Sequence, residues 1–475
     1  MDNHVILADD KAQYQKEQDN VLKTILTYRF FNAWRGISSQ KKVRSLEYSS
    51  NLELYLTNTC NQKCEYCYLV KYPELYPKDK NNPENIFNNL KILYEYIITN
   101  NFHIPTVDVF SGEIWHTDFG VQFLEITLDY IRMGMKIDKL VIPTNCYFVN
   151  NNKTLHKIQT LIDIYKTVGT QLQFSLSVDG KIIDDNFRPR NSKESYTEEF
   201  YERLFTFAKA NDFLFHPMVS SSNVKYWKEN YEWWTNTLKY YDLNNSDIMM
   251  LEVRNADWTD ESIKDYCDFI IYLADKYRRE ECHGSLELFG SVVGNVRVED
   301  ESVLTHGYIP WSINRTDTFA GCTVSDYLTI RIGDLAICPC HRQAYDKYLY
   351  GYFVVKDNHI VDITAVNPNN AIKILMGNLL NTTPRCNMCI YNRCCLHGCF
   401  GAQIEYNNDP FFPIDNICKL YKAKYRALFQ YYREVGVIDY LKTISDKEFN
   451  TDCTKFILEL EQLDREARDN EMEQC

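Results

Sequence analysis

Three cysteines, Cys60, Cys64 and Cys67, fall within "LTNTCNQKCEYCYL" (56–69). A C-x3-C-x2-C loop can offer three thiolates to three irons of a 4Fe-4S cluster and leave the fourth iron open for chemistry. A structural zinc site would want a fourth Cys or His close by, and His103 and His116 are too distant in sequence to be obvious partners. The chain carries 17 cysteines, an odd number, so some must be free. Where disulfides are kept reduced, clustered thiols more often bind metal or do redox chemistry.

A second constellation is longer. "CTVSDYLTIRIGDLAIC" gives Cys322, then Gly333, then Cys338. "CNMCIYNRCCLHGC" gives Cys386-x2-Cys389-x5-Cys395-x3-Cys399, and Cys418 follows after a gap. Zinc knuckles and iron–sulfur sites share the C-x2-C spacing, so taken alone the pattern leaves both open. Cys267, Cys282, Cys394, Cys453 and Cys475 fit no pattern and read as packed or surface thiols.

These residues need elements to position them. From residue 51 short apolar runs alternate with longer helical patterns, the signature of βα units around a parallel sheet. The strand candidates are "LELYLT" (52–57), "TVDVF" (106–110), "KLVIPT" (139–144), "QFSLSV" (173–178), "LFHPMV" (214–219) and "DIMMLEV" (247–253). Helical patterns lie near 84–100, 118–134, 152–168, 194–211, 226–241 and 260–280, with Asn82-Pro83 and Thr259 as opening caps. The expected fold is therefore α/β, a partial (β/α)6 TIM-type barrel with its site at the C-terminal strand ends. The triad follows the first strand directly.

The expected organisation is an N-terminal helical extension over 1–50, with an amphipathic helix at 21–34; the barrel over 51–282; a bridging region over 283–320; a small cysteine-rich domain over 321–420; and a C-terminal helical segment over 421–475. Apolar residues at 45% give ample material for a core. A net charge of −13 argues against nucleic acid as the main partner, because phosphate binding needs a positive surface. No signal peptide and no membrane-length apolar run is present, so the expected location is cytoplasmic.

The triad, with Tyr66 just before its last Cys, resembles the signature of the radical S-adenosylmethionine (radical SAM) superfamily. The resemblance implies that SAM chelates the open iron and is reductively cleaved to methionine and a 5′-deoxyadenosyl radical, which abstracts hydrogen from substrate. It also implies that Tyr66 lies against the adenine, a role suited to a flat apolar face. "DVFSGEIW" (108–115) resembles the family's Gly-Gly-Glu motif, with Ser111 in place of the first Gly and Glu113 facing the SAM amino group. "FSLSVDG" (174–180) resembles its Ser-x-Asp-Gly turn, placing Ser177 at the ribose. Arg188 in "DNFR" matches an Arg that contacts the SAM carboxylate. Plain alternatives exist: Glu113 and Arg188 as solvated charges, Ser177 as a strand-end cap. "PTNC" (143–146) puts Cys146 at a position often held by Gly, where it reads as a packed thiol.

The cysteine-rich stretch is similar to the seven-cysteine motif of the SPASM extension. What that implies is two auxiliary 4Fe-4S clusters, one on Cys322, Cys338 and Cys399, the other on Cys386, Cys389, Cys395 and Cys418. The first is completed by a group such as Cys340 or stays open. With the triad's own, this makes three clusters in all.

SPASM-bearing enzymes mostly modify peptides and proteins. The leading expectation is thus a maturase that installs a thioether, carbon–carbon or other crosslink, or an epimerisation, in a ribosomally made peptide. A sulfatase-maturing type, which oxidises Cys or Ser of a protein, ranks below it because such enzymes carry an additional ligand on the first auxiliary cluster. The expected partners are a precursor peptide or protein, an electron donor such as a flavodoxin or ferredoxin, and a separate leader-recognition protein, since 50 residues are too few for a winged-helix domain before the first strand. A zinc-binding scaffold without chemistry is the alternative from another class, and a scaffold has no reason to leave the triad without a fourth ligand. A simple electron carrier would not need the barrel.

Overall fold

In "KIDKLVIPT" the strand Lys136–Thr144 buries Leu140, Ile142 and Thr144 at alternate positions on one face. The same logic builds a nine-stranded sheet. In the computed structural model of the chain, the described residues are 8–37, 50–76, 82–110, 112–189, 196–211, 213–244, 248–279, 288, 292–298, 307–312, 327–369, 371, 386, 389, 398–436 and 461. Ser111, Cys282, Cys322, Cys394, Cys395, Cys453 and Cys475 lie outside them.

Five strands of the sheet are β1 (Asn51–Tyr55), β2 (His103–Phe110), β3 (Lys136–Thr144), β4 (Gln171–Leu176) and β5 (Phe213–Phe215), each parallel to the next. The helices between them include α2 (Pro83–Thr99), α3 (Phe119–Arg132), α4 (Asn152–Val168) and α6 (Glu198–Ala210), with α5 (Lys181–Phe187) after β4. Local chemistry sets their ends. Asn82 accepts from the Glu84 amide with Pro83 in the first turn, and Asn151 accepts from Lys153 and Thr154. Gly169, at φ +79°, ends α4 in the left-handed conformation that glycine tolerates.

Beyond β1 the sheet continues in a direction that the sequence pattern does not reveal. β10 (Tyr327–Arg331) runs parallel to β1, and β11 (Ala336–Cys338), β12 (Gly351–Lys356) and β13 (His359–Ala365) follow antiparallel. β1 therefore has a neighbour on each side, and all five of its residues are buried, Glu53 included.

The N-terminal helix is longer than expected. α1 (Ala8–Leu26) continues through one π-helical turn (Thr27–Phe31) to Trp34. Its Asp19 accepts the amide of Ala365 and Gln15 donates to the Ala365 carbonyl, so the helix takes up polar groups of the sheet's edge strand.

The fifth strand candidate (214–219) is split between β5 and a second short strand, and the sixth (247–253) is shorter than the sequence suggests. β6 (Met218–Val219) and β7 (Leu251–Glu252) pair with each other in a separate two-stranded parallel sheet. With them lie α7 (Trp227–Tyr241), α8 (Asp260–Arg278) with its Thr259/Ser262 capping box, the hairpin of β8 (Val292–Val298) and β9 (Gly307–Ser312), α9 (Phe400–Asn407) and α10 (Asp415–Glu434). The chain divides into two compact units. One comprises Met1–Val178, Asp184–Phe215 and Thr323–Leu380; the other comprises Asp179–Ile183, His216–Cys322 and Asn381–Cys475. Among the described residues no helix is long and apolar enough to cross a membrane.

Candidate active site and cysteine cavity

The triad loop leaves the C-terminal end of β1 and is tied down on two sides. On one, the Gly112 amide donates to the Thr57 carbonyl (2.7 Å) and the Glu113 amide to the Thr59 carbonyl (2.8 Å). A Cβ at Gly112 would sit 2.2 Å from that Thr59 oxygen, so no other residue fits without moving the loop. On the other side, the amides of Lys63 and Glu65 donate to the carbonyls of Pro189 and Phe187 (3.0 Å each). Cys60, Cys64 and Cys67 lie partly exposed on the loop so held.

Glu113 is buried and is no solvated charge. Its carboxylate accepts from the amides of Asn145 (2.5 Å) and Trp115 (3.1 Å) and from the Thr144 hydroxyl (3.0 and 3.1 Å), which fastens the end of β2 to the end of β3. Burial raises its pKa to about 7 against the pull of these donors. Asn145 then connects the two halves. Its side-chain amide donates to Asn61 (2.6 Å) and approaches the Cys60 sulfur (3.8 Å). The sequence pointed to "PTNC" but singled out Cys146 there; Asn145 is the residue that touches the site. Cys146 itself is a buried thiol at φ +64°.

Arg188 is likewise buried, with Nη1 3.0 Å from the Tyr66 hydroxyl, Nη2 3.5 Å from Gln62 Oε1 and Nε 3.7 Å from Asp184. Asp184 accepts from Tyr201 (2.8 Å), and Gln62 donates to Tyr196 (2.6 Å). Asp184, Tyr196 and Tyr201 lie outside every motif in the sequence and could be found only from the fold. Ser177 stands at the end of β4, its amide on the Thr144 carbonyl (2.7 Å). The structure thus gathers Tyr66, Glu113, Ser177 and Arg188 into the unit of the triad, at successive strand ends and just beyond β4.

Burial, and behind it the Glu113 carboxylate, push the Cys60 thiol up to about 12, and burial raises Cys67. Such thiols hold their protons at neutral pH, so metal loading must release them. Among the described residues no three Cys, His, Asp or Glu side chains converge as a single metal ion would require. A four-iron cluster gives each thiolate its own iron. Three cysteines spread along one clamped loop fit that group.

The same unit holds a buried polar cluster outside the motifs. Glu53 accepts from the Thr329 hydroxyl (2.6 Å) and the His341 amide (2.7 Å) and lies 2.9 Å from His341 Nδ1. The His341 ring stacks on Phe110 at 3.7 Å. Asp108, paired with Glu53 across the sheet, is raised to about 7 by burial and by the Glu53 charge. Cys338 and Cys340 are buried, Cys338 beside Tyr55, Ala344 and Leu349.

In the other unit, Cys386, Cys399 and Cys418 line one cavity together with Arg254, Gly398, Gln403, Pro413, Ile414, Ile417 and Tyr421. Two helices begin there. Cys399 is the N-cap of α9, and Cys418 sits in the first turn of α10. Cysteines with apolar walls and the positive ends of two helices fit an anionic thiolate-bound cluster. Cys389 is described and free, half-exposed one turn from Cys386.

No family model matches the chain, and no curated protein matches it. Solved structures do. Native anSMEcpe with bound AdoMet is 17% identical with a TM-score of 0.54, covering 83% of this chain and 100% of that one. Native anSMEcpe with AdoMet and the Cp18Cys peptide is 15% identical with a TM-score of 0.51, covering 83% and 100%. The form with the Kp18Cys peptide gives 15%, 0.51, 82% and 100%. These neighbours are an anaerobic sulfatase-maturating enzyme, a radical SAM enzyme with a SPASM domain. At these identities the likeness establishes a common fold.

Proposed function

We propose that the chain is a radical SAM enzyme with SPASM-type auxiliary clusters that modifies a peptide or protein. The observation that carries this reading is the clamped triad loop, with Glu113, Asn145, Ser177 and Arg188 gathered in its unit at the ends of successive parallel strands and just beyond them. Cys60, Cys64 and Cys67 would hold the SAM-binding cluster. When bound, that group supplies the electron that cleaves SAM to methionine and a 5′-deoxyadenosyl radical, which takes a hydrogen atom from the substrate.

The chain's own part is binding and orientation. Gly112 and Glu113 fix the loop and offer backbone polar groups beside it. Ser177 presents a hydroxyl at the fourth strand end, suited to a ribose. Tyr66, anchored through its hydroxyl by Arg188, keeps an aromatic face at the loop, suited to an adenine. Cys386, Cys389, Cys395 and Cys418 would hold one auxiliary cluster, and Cys322, Cys338 and Cys399 the other, within the cysteine-rich region 321–420. The barrel region is 51–282, in a chain working in a cytoplasm that keeps thiols reduced.

Crosslinking or epimerising a ribosomal peptide and oxidising a Cys or Ser of a protein are supported equally, the second by solved neighbours that carry peptides. A flavodoxin or ferredoxin is the proposed electron donor, and a separate protein the leader reader. The test is anaerobic incubation with SAM, a reductant and a Cys-containing peptide. A peptide of altered mass formed alongside deoxyadenosine is expected. Deoxyadenosine without any change in Cys-, Ser- or aromatic-rich peptides would contradict peptide modification.

A further inference from the structure

Arg254 lines the cysteine cavity and follows β7 by two residues. It is held there by Glu252, whose Oε1 lies 3.3 Å from Arg254 Nε. The same oxygen accepts from the Tyr421 hydroxyl at 2.8 Å, and Tyr421 is another lining residue. Glu252 is 1% exposed, and its Oε2 takes no hydrogen bond. A buried carboxylate in this state needs a cation, and the guanidinium beside it supplies one. Lys424 adds a second positive charge nearby, its Nζ 2.9 Å from the Leu288 carbonyl and 4.9 Å from the centroid of the Tyr421 ring, but it does not line the cavity.

We propose that Arg254 sets the reduction potential of the auxiliary iron–sulfur cluster that Cys386 and Cys418 help to hold in this cavity. This rests on the reading that the cavity holds such a cluster. Adding one electron there makes its contents more negative by one charge. In an apolar-walled cavity a fixed cation offsets that charge better than it would in water. The N-termini of α9 and α10 act in the same sense. Glu252 acts in the opposite sense electrostatically while it orients Arg254, so the pair makes opposite demands that a purely structural role would not make. Arg254 is therefore a positioning and tuning residue that acts through charge on bound metal.

The experiment is a redox titration of the anaerobically reconstituted full-length chain, followed by electron paramagnetic resonance, with iron and sulfide measured on every sample. Arg254→Gln is expected to keep its iron and to lower the midpoint of one auxiliary signal by about 59 mV, a tenfold change in a one-electron equilibrium. Arg254→Lys is expected to recover most of the shift, and Glu252→Gln to move the midpoint upward. An iron-replete Arg254→Gln protein with an unchanged midpoint overturns the proposal. If that variant does not load, Glu252→Gln decides instead, an upward shift being expected and an unchanged midpoint overturning it. Cys386→Ala and Cys418→Ala test the underlying reading separately. Should both keep the full iron content, the cavity holds no cluster and the proposal falls with that reading.

Discussion

The triad loop and the cysteine cavity use the same side chain in opposite settings. Around Cys60, Cys64 and Cys67 the neighbours are polar and hydrogen-bonded: Asn61, Gln62, Asn145, Glu113 and Arg188. The thiols of both sites are partly exposed, so the contrast lies in their neighbours. Around Cys386, Cys399 and Cys418 the walls are largely apolar, Pro413, Ile414 and Ile417, with one guanidinium and two helix N-termini. A site that must bind the amino, carboxylate, ribose and adenine of a cofactor needs many placed polar groups. A site that only stores charge needs enclosure and a tuned field. Under the proposed function, the polar surroundings suit SAM binding at the triad and the apolar walls suit charge storage at the cavity.

The largest effects should separate the two. Cys60→Ala, Cys64→Ala and Cys67→Ala should each abolish deoxyadenosine formation while about eight of roughly twelve irons remain, as expected for loss of one cluster in three. Equal loss of iron from all sites would break the comparison. Next comes Gly112→Ala, whose methyl would collide with the Thr59 carbonyl and displace the triad loop. Its deoxyadenosine rate should fall on the order of a hundredfold, the effect of an ångström-scale misplacement. The midpoint of the cavity signal should not move.

Asp108→Asn has a smaller effect, confined to stability. Burial and Glu53 raise Asp108 from 3.8 to about 7 in the folded chain. The folded state therefore holds this proton more tightly than the unfolded state does. The stabilisation is complete below about 4, and is lost as pH rises to about 7. Denaturant midpoints of the native chain should fall across that window, and those of Asp108→Asn should be flatter. A parallel pH dependence in the two proteins would show that Asp108 is not the source. Smallest is Tyr66→Phe, which deletes one hydrogen bond to Arg188. A loss of about 1 kcal/mol in SAM affinity or stability is expected, the usual net value of such a bond.

What the sequence displayed was local. Short apolar runs marked the C-terminal parts of β2 and β3, and helical patterns marked α2 and α4 closely, because such signals lie within a dozen residues. The spacing of the triad and the Glu at 113 were equally readable. The addition of β10 to β1 was not, since that pairing joins residues 51–55 to 327–331 and leaves no local signal. For the same reason nothing in "LELYLT" singles out Glu53, which is buried at the centre of the sheet with its partners 276 and 288 residues away. The pairing of β6 with β7, and with it the place of Arg254 and Glu252, is a tertiary fact of the same kind. Asn145 is intermediate: its motif was visible, but its bonds to Asn61 and to Glu113 needed the fold.

The central claim is that the clamped triad loop carries a cluster that cleaves SAM. It is tested most directly on anaerobically reconstituted wild-type protein, by measuring iron and sulfide per chain and then deoxyadenosine after reduction with SAM present. About twelve irons, from three four-iron clusters, together with deoxyadenosine formed only when SAM and reductant are both present, is the expected result. Zinc in place of iron, or a fully loaded protein that leaves SAM intact, would contradict the account and return the cysteines to a structural role.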